Sequence, residues 1–402
     1  MRNQKRSITL FLFYIVTIFL IGCNRPSNPE DLITVVTPVP QKITVSATPT
    51  ATPSPTVTPT PAPTSTPTPT PSPTPCIVSI TCSFAGDVTL GSDLVNQNSS
   101  RNFYKTYEKI QDDSYFFSNV LPYFTEDDLT LVNFEGVISD RGERQDKTFA
   151  FRGDPSFVNI LTKGSVEAVC LANNHSHDYG QISHEDTKDI LQGAGIAYSC
   201  DELIAYTTIK DIKIAMISVY VRPRGLEGCK ALLDKTITEA TAENADLIFT
   251  SFHWGVEKSS KITDEQSALA HYAIDLGADL VLGHHPHVLQ PIEYYNGAYI
   301  VYSLANFCFG GNTNPKDKDT MIFQQTFTFT DSVRNIEDNS ACVIPCSVSS
   351  TTERNDYCPT PQAGTEAERI IKKLNSYCSS YGLSFEHKEE SCYVPVFLPL
   401  EE

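Results

Sequence analysis

From Val78 onward the chain alternates short apolar runs with segments whose apolar residues fall at helical spacing. Val78, Ile80, Cys82 and Phe84 alternate with polar residues, the period of two that turns one strand face toward a core, and Met321–Thr330 repeats the pattern. Strands are predicted over Val78–Ala85, Leu129–Phe134, Val166–Ala172, Ile212–Val219, Leu247–Phe252, Leu280–Leu282, Tyr299–Leu304 and Met321–Thr330. Helices are predicted over Pro155–Lys163, His184–Gln192, Ile262–Leu276 and Thr365–Ser379. Asp154 is placed to cap the first, with Pro155 at its first position, and Gly277 to stop the third. Strands alternating with helices predict a layered α/β domain. No second linker interrupts the chain after Pro75, so residues 76–402 read as one large domain.

The first 75 residues break this pattern. Arg2, Lys5 and Arg6 precede an apolar stretch, Ile8–Ile21, and then Leu20-Ile21-Gly22-Cys23. That layout is a secretory signal, and its ending resembles a bacterial lipobox. The expectation is a lipoprotein signal peptide over 1–22, with Cys23 the lipid-bearing first residue of an extracytoplasmic protein anchored to the cell membrane. Residues 23–75 follow as a Thr/Pro-rich disordered stalk. Thirteen of the 26 prolines lie between Pro38 and Pro75, and such a segment packs no core and acts as a semi-rigid spacer.

The 402 residues carry a net charge of -18. This excludes general nucleic-acid binding, which needs a basic footprint. Twelve cysteines less Cys23 leave an odd number, so at least one thiol stays unpaired within the chain. Cys342, Cys346, Cys358, Cys378 and Cys392 cluster late and are placed to staple the C-terminal region, whereas Cys170 and Cys308 sit in apolar runs as buried thiols.

Metal-competent side chains stand just past the predicted strands: Asp87, Glu135, Asn174 with His175 and Asp178, His253 with Glu257, and His284, His285 and His287. Ligands bind at the carboxyl ends of strands in α/β sheets, so five distant segments aim carboxylates, an amide and imidazoles at one rim. A packed core seldom wants three imidazoles within four positions, and the set as a whole predicts a metal centre. Mixed oxygen and nitrogen donors without thiolate suit one or two divalent ions, Mn, Fe or Zn, without choosing among them.

The motifs Gly86-Asp87-Val88-Thr89-Leu90-Gly91, Asn133-Phe134-Glu135-Gly136, Ala172-Asn173-Asn174-His175, His253-Trp254-Gly255-Val256-Glu257, His285-Pro286-His287-Val288-Leu289-Gln290 and Tyr302-Ser303-Leu304-Ala305-Asn306-Phe307 resemble the CapA family of poly-γ-glutamate capsule synthesis proteins. The resemblance runs over roughly residues 78 to 385 and implies a fold similar to the calcineurin-like metallophosphoesterases, a four-layer α/β/β/α sandwich with its site at one rim. It implies that Asp87, Glu135, Asn174, His253, His285 and His287 hold metal, with Glu135 bridging, and that His175 is catalytic. Two positions depart from the phosphoesterase pattern. Thr89 stands where that pattern has a histidine, and Glu135 where it has an aspartate, so the first metal site is expected to lose a ligand. His284 is expected to point away.

The chemistry expected is metal-assisted attack of water at a phosphoryl centre, with His175 protonating the leaving oxygen. Asp178 is either its orienting partner or a turn acid. Glu257 is a second acid/base, a holder of a substrate amine, or a solvated loop carboxylate. Trp254 is expected to pack beside the site, Gln266 to make a buried hydrogen bond from a helix, and Asn306 to reach the rim. The function expected is an accessory role in synthesis or export of an anionic polymer, within a membrane polymer-synthesis complex. A stand-alone metal-dependent phosphoesterase acting on a phosphoester, or a polymer-binding protein with a vestigial site, is the alternative.

Overall fold

The computed structural model describes residues 74–96, 99, 101–337, 340–389 and 391–399. The expected signal segment, Cys23 and the stalk up to residue 73 lie outside the described residues. In chain order the first strands are β1 (Ile77–Thr89), β2 (Leu129–Phe134), β3 (Ala168–Cys170), β4 (Ala197–Ser199), β5 (Ala205–Ile209), β6 (Ile212–Tyr220), β7 (Leu247–His253) and β8 (Leu280–His284). They are followed by β9 (Ile292–Tyr295), β10 (Ala298–Val301), β11 (Asn306–Phe309), β12 (Asp319–Thr330), β13 (Ser340–Ser347), β14 (Leu383–Glu389) and β15 (Cys392–Phe397). The helices are α1 (Phe103–Ile110), α2 (Leu121–Glu126), α3 (Val158–Lys163), α4 (Gln181–Gly193), α5 (Gly225–Ala242), α6 (Asp264–Asp275) and α7 (Gly364–Cys378).

Two large sheets result. One has the order β14-β15-β13-β12-β1-β2-β3-β4, with β1 to β4 parallel and β12 antiparallel to β1. β11 joins the far end of β1 in parallel and sets Asn306 beside Asp87. The other has the order β9-β10-β8-β7-β6-β5, with β6, β7, β8 and β10 parallel.

Strand parity decides how the sheets stack. Ile80, Cys82 and Phe84 turn one way and meet Ile214, Met216, Phe249 and Leu282 of the second sheet. Phe249 lies at the centre of this layer, its ring 5.3 Å from Phe84 and 5.3 Å from Phe327. The outer face of the first sheet buries Val132 and Val169 against Phe103, Phe124 and Leu161 of α1, α2 and α3. The outer face of the second buries Ile217 and Val281 against Leu233 and Ile237 of α5 and Leu269 and Ala273 of α6. The order helix, sheet, sheet, helix is the four-layer α/β/β/α sandwich that the resemblance implies. α7 adds Ile370 and Leu374 to the core between the sheets.

Local signals act as read. Asp154 accepts a hydrogen bond from the Ser156 backbone, and a 3₁₀ turn at Pro155–Phe157 leads into α3. α6 starts two residues later than Ile262, because Thr263 and Gln266 form a reciprocal capping box. β8 runs two residues past Leu282, to His284. Helix α5 and the β14–β15 hairpin were not predicted.

Cys342 and Cys392 form a disulfide between β13 and β15, so part of the late cysteine cluster does staple this region. Cys346, Cys358 and Cys378 remain free and buried, as do Cys82, Cys170 and Cys308. Burial pushes the Cys82 and Cys308 thiols well up, and Cys170 to about 11. α7 is latched to the start of β12 by Asp319, which accepts from Arg369 at 2.6 and 2.9 Å and from Lys373 at 2.9 Å. Burial raises the Asp319 pKa, but the hydrogen bonds from Arg369 and Lys373 outweigh it and hold the carboxyl below its ordinary 3.8.

Phe249→Ala empties the space between the sheets and is expected to cost about 3–5 kcal/mol. A lower urea midpoint with an unchanged slope is the reading that checks it. Because the folded value of Asp319 is depressed, its stabilisation is present above the ordinary value and fades as pH falls through the folded one. Asp319→Asn is therefore expected to lose less stability than the native protein on acidification below about pH 4. Equal acid losses in the two proteins would show that the latch contributes nothing.

Candidate metal centre and its histidine

The site begins at a close crossing of backbones. A Cβ on Gly86 would stand 1.9 Å from the Ala305 carbonyl oxygen, so only glycine lets β1 pass there. The Asp87 N–H donates to that same oxygen at 2.9 Å. Asp87 is fully buried. Its Oδ1 accepts from Asn133 Nδ2 at 2.8 Å, and its Oδ2 lies 2.9 Å from His287 Nδ1. Asn173 donates in turn to Asn133 Oδ1 at 3.2 Å and to the Phe134 carbonyl at 2.8 Å, and accepts from the His175 N–H at 3.0 Å. This relay of buried amides ties the ends of β1, β2 and β3 together. Burial raises the Asp87 pKa, but hydrogen bonds and charge from His284 and His287 hold it well below the usual carboxylate range.

His284 does not point away. Its Nδ1 lies 3.5 Å from Asp87 Oδ1, and the residue is buried. The reason is the extra length of β8: pairing continues to His253↔His284, so strand alternation sends the imidazole inward.

Glu135 is also fully buried, and neither carboxylate oxygen has a hydrogen-bond partner. Burial, and next the charge of Asp87, push its pKa well above the ordinary value. Two adjacent buried carboxylates, one with no donor at all, make a site that lacks positive charge. His175 Nε2 stands 3.5 Å from Glu135 Oε1, and its Nδ1 lies 2.7 Å from Asp178 Oδ2. Asp178 is not a solvated turn acid. It is fully buried, accepts from the Phe151 N–H at 2.5 Å and pairs with Lys147 Nζ at 2.6 Å. Lys147 also donates to the Asn174 carbonyl at 2.7 Å. Burial lowers the His175 pKa, Asp178 restores part of it, and the net value stays below the ordinary one. Phe151 covers the ring at 4.4 Å.

His253 and the His285–His287 loop form the opposite wall. Both ring nitrogens of His253 are buried without a partner, as is Nδ1 of His285, and the two rings are 4.6 Å apart. Burial, reinforced by neighbouring imidazoles, lowers the His253 pKa well below 6.5 and the His285 pKa to about 4. For His287 burial acts in the same sense, but Glu135 and the hydrogen bond to Asp87 overcome it and raise the value to about 9. His285 and His287 hold φ of 93° and 58°, and Ala305 holds 64°. Left-handed backbone at non-glycine residues costs about 1–3 kcal/mol each and tends to gather at functional sites.

Ligand atoms of Asp87, Glu135 and His287 lie within 4.8 Å of one another, as do those of Glu257, His285 and His287. His253 falls outside both groups, although its two nitrogens, like Asn174 Oδ1, are buried and unpartnered. These oxygens and nitrogens carry lone pairs that no hydrogen bond uses, and a divalent cation of borderline hardness would satisfy them. Thr89 is buried with its hydroxyl unpartnered. Asn306 reaches the rim, donating to the His287 carbonyl at 3.4 Å and leaving Oδ1 bare. Trp254 packs, stacked on Phe252 at 4.5 Å with Nε1 donating to the Tyr302 carbonyl at 2.9 Å. Gln266 is buried and donates to Gln290 at 2.8 Å. Sequence reasoning missed Lys147, which lies in a stretch with no periodicity, and the Asn133–Asn173 relay, whose residues stood in plain view inside the motifs.

Comparison with known proteins follows this geometry. Residues 81–311 match the family described as Bacterial capsule synthesis protein PGA_cap. The chain is 32% identical over 260 residues to the PGA biosynthesis protein CapA of Bacillus subtilis, covering 59% of this chain and 66% of that one. It is 31% identical over 267 residues to the capsule biosynthesis protein CapA of Bacillus anthracis, covering 59% and 62%. It thus spans just under two thirds of the length of these curated relatives. Among solved structures, a purple acid phosphatase from yellow lupin (Lupinus luteus) seeds aligns with a TM-score of 0.32 at 8% identity, covering 68% of this chain and 52% of that one. Strand-end motifs in the same order, on the sandwich they require, and a match over more than half its length mean that the chain belongs to the bacterial capsule synthesis protein family PGA_cap.

Proposed function

We propose that this protein is an accessory factor in the synthesis or export of an anionic polymer of the poly-γ-glutamate type, acting through a divalent-metal, phosphoesterase-like site. The observation that carries this reading is the convergence of buried, unpartnered ligand atoms of Glu135, Asn174, His253 and His285 from four strand ends beside the buried Asp87 of a fifth, in a chain of a family described by capsule synthesis. In this reading Cys23 carries a lipid, the Thr/Pro stalk spaces the domain from the membrane, and the partner is a membrane polymer-synthesis complex.

Asp87, Glu135, Asn174, His253, His285 and His287 would hold one or two divalent ions. Such ions supply Lewis acidity and an activated water for in-line displacement at phosphorus. The remaining work falls to the chain's own groups. Lys147 and the Phe151 N–H fix Asp178, and Asp178 fixes His175 through Nδ1. This orientation leaves His175 Nε2 facing the site, where it delivers a proton to a leaving oxygen. Phe151 and Phe309 flank His175 and His287 and limit water around them. The short Thr89 leaves the Asp87 side of the site with one donor fewer than the phosphoesterase pattern.

Elemental mass spectrometry of the purified chain is expected to find one or two ions of Mn, Fe or Zn, lost in Asp87→Ala and His253→Ala. A folded protein that takes up none of the three overturns the proposed centre. His175→Ala is expected to keep its metal while hydrolysis of a model phosphodiester falls by about 10²–10⁴. Unchanged turnover in that variant removes His175 from the chemistry.

A further inference from the structure

The histidine floor opens into two hollows of unlike charge. Resting on the polymer reading above, we propose that together they hold the amino end of a linear polycarboxylate. The terminal ammonium lies in one hollow and the carboxylate-bearing chain runs out through the other.

The first hollow encloses about 480 Å³ and is lined by Arg222, His253, Glu257, Glu265 and His285. The second encloses about 550 Å³ and is lined by Lys258, His287, Asn306 and Lys316. Both volumes fall in the range of about 300–1,000 Å³ typical of small-ligand sites. They meet over one floor, since His285 faces one hollow and His287 the other, with ring centroids 5.8 Å apart. Each hollow contains a buried residue with unsatisfied polar atoms: both nitrogens of His253 in the first, Oδ1 of Asn306 in the second.

The charges lining them are free to meet a ligand. Among the described residues no lysine or arginine forms a salt bridge with Glu257 or Glu265, and no carboxylate with Arg222, Lys258 or Lys316, although Glu257 also stands within 4.8 Å of His285 and His287. Asp317, also beside the second hollow, is taken by Lys373 at 2.6 Å. Glu257 and Lys258 are consecutive on the ridge between the hollows, so the sign of the surface changes there within one residue. That ridge is built firmly. Lys258 N–H donates to the Pro286 carbonyl at 2.7 Å, and Gln290, held by Gln266, donates to the Ser259 carbonyl at 2.9 Å and the Lys261 carbonyl at 3.2 Å.

An interior stretch of polycarboxylate fits this surface poorly, because its acids would face Glu257 and Glu265 in the first hollow. A free amino end fits both halves. Its ammonium meets the two glutamates, its neighbouring carboxylate meets the Arg222 fork, and the following carboxylates pass Lys258 and Lys316. On a chain of net charge -18, this local cationic exit also lets a polyanion approach a body that otherwise repels it.

The test is titration of the metal-supplemented full-length chain with a γ-linked glutamate oligomer, either with a free amino terminus or N-acetylated. The free oligomer is expected to bind about tenfold or more tightly than the acetylated one, the size of one charge-assisted contact. Glu265→Gln, which removes none of the proposed metal ligands, is expected to erase that gap. Lys316→Glu is expected to weaken both oligomers alike. Melting temperatures of both variants establish that they are folded. Equal affinity of the two oligomers, or binding of neither, overturns the inference. Metal content measured on the same samples separates the two ideas: a loaded protein that ignores the amino end sinks this inference alone, and a protein that takes up no metal sinks the proposed centre.

Discussion

Asp87 carries a negative charge with no access to water, and its surroundings supply what water would. Asn133 donates to one oxygen and His287 faces the other, while His284 closes the third side. Those partners arrive from two other strands, Asn133 on β2 and the two histidines at and just past the end of β8, so the carboxylate can be solvated by protein only if β1, β2, β8 and the loop after β8 are in register. The glycine crossing at Gly86 and Ala305 serves the same end by bringing β1 against the segment that leads into β11. The folding of the rim and the chemistry of the rim therefore share one constraint. A misregistered sheet would leave a buried charge unpaired, at a cost of several kcal/mol.

The same constraint explains why Glu135 differs from Asp87. No hydrogen bond reaches either of its oxygens, and it sits beside another carboxylate. The protein places two acids where it compensates one. The imidazoles opposite divide in the same way: His287 is drawn toward protonation by the acids, while burial, reinforced by neighbouring imidazoles, lowers the pKa of His253 and His285. Neutral imidazoles with bare nitrogens, facing an uncompensated carboxylate, describe a cavity whose electrostatics a cation would balance.

Much of the frame was legible in the sequence because the signals were local. Alternation marked β1 and β12, continuous apolar runs marked β2, β6, β7 and β8, and the cap at Asp154 and the stop at Gly277 marked helix ends, whereas the Thr263 cap was passed over. Candidate residues were legible because strand ends are where α/β sheets leave polar groups. What was missed depended on tertiary context. α5 carries glycines at 225 and 228 and scattered threonines, so its helical period is weak, and it exists because the second sheet needs a cover. The pairing of Cys342 with Cys392 was one of several open choices until β13 and β15 were seen side by side. The direction of His284 hung on two additional residues of strand. Lys147 acts across 31 positions on Asp178, from a stretch without regular structure.

The buried thiols set a condition on how this chain reaches its folded state. Cys82, Cys170, Cys308, Cys346 and Cys378 line cores in which burial keeps them protonated, and a protonated, inaccessible sulfur neither attacks a disulfide nor meets an oxidant. That protection exists only after the layers close. If the chain folds in an oxidising compartment, its unfolded form exposes every one of these sulfurs beside the two that belong together, and a wrong pair formed early would pin strands that must slide into register. Productive folding is then a race between closing the sandwich and oxidising its contents. The parallel strands within each mixed sheet make closure slow, because they are joined by long crossovers. The thiols of the core are thus safe in the finished protein and hazardous on the way to it.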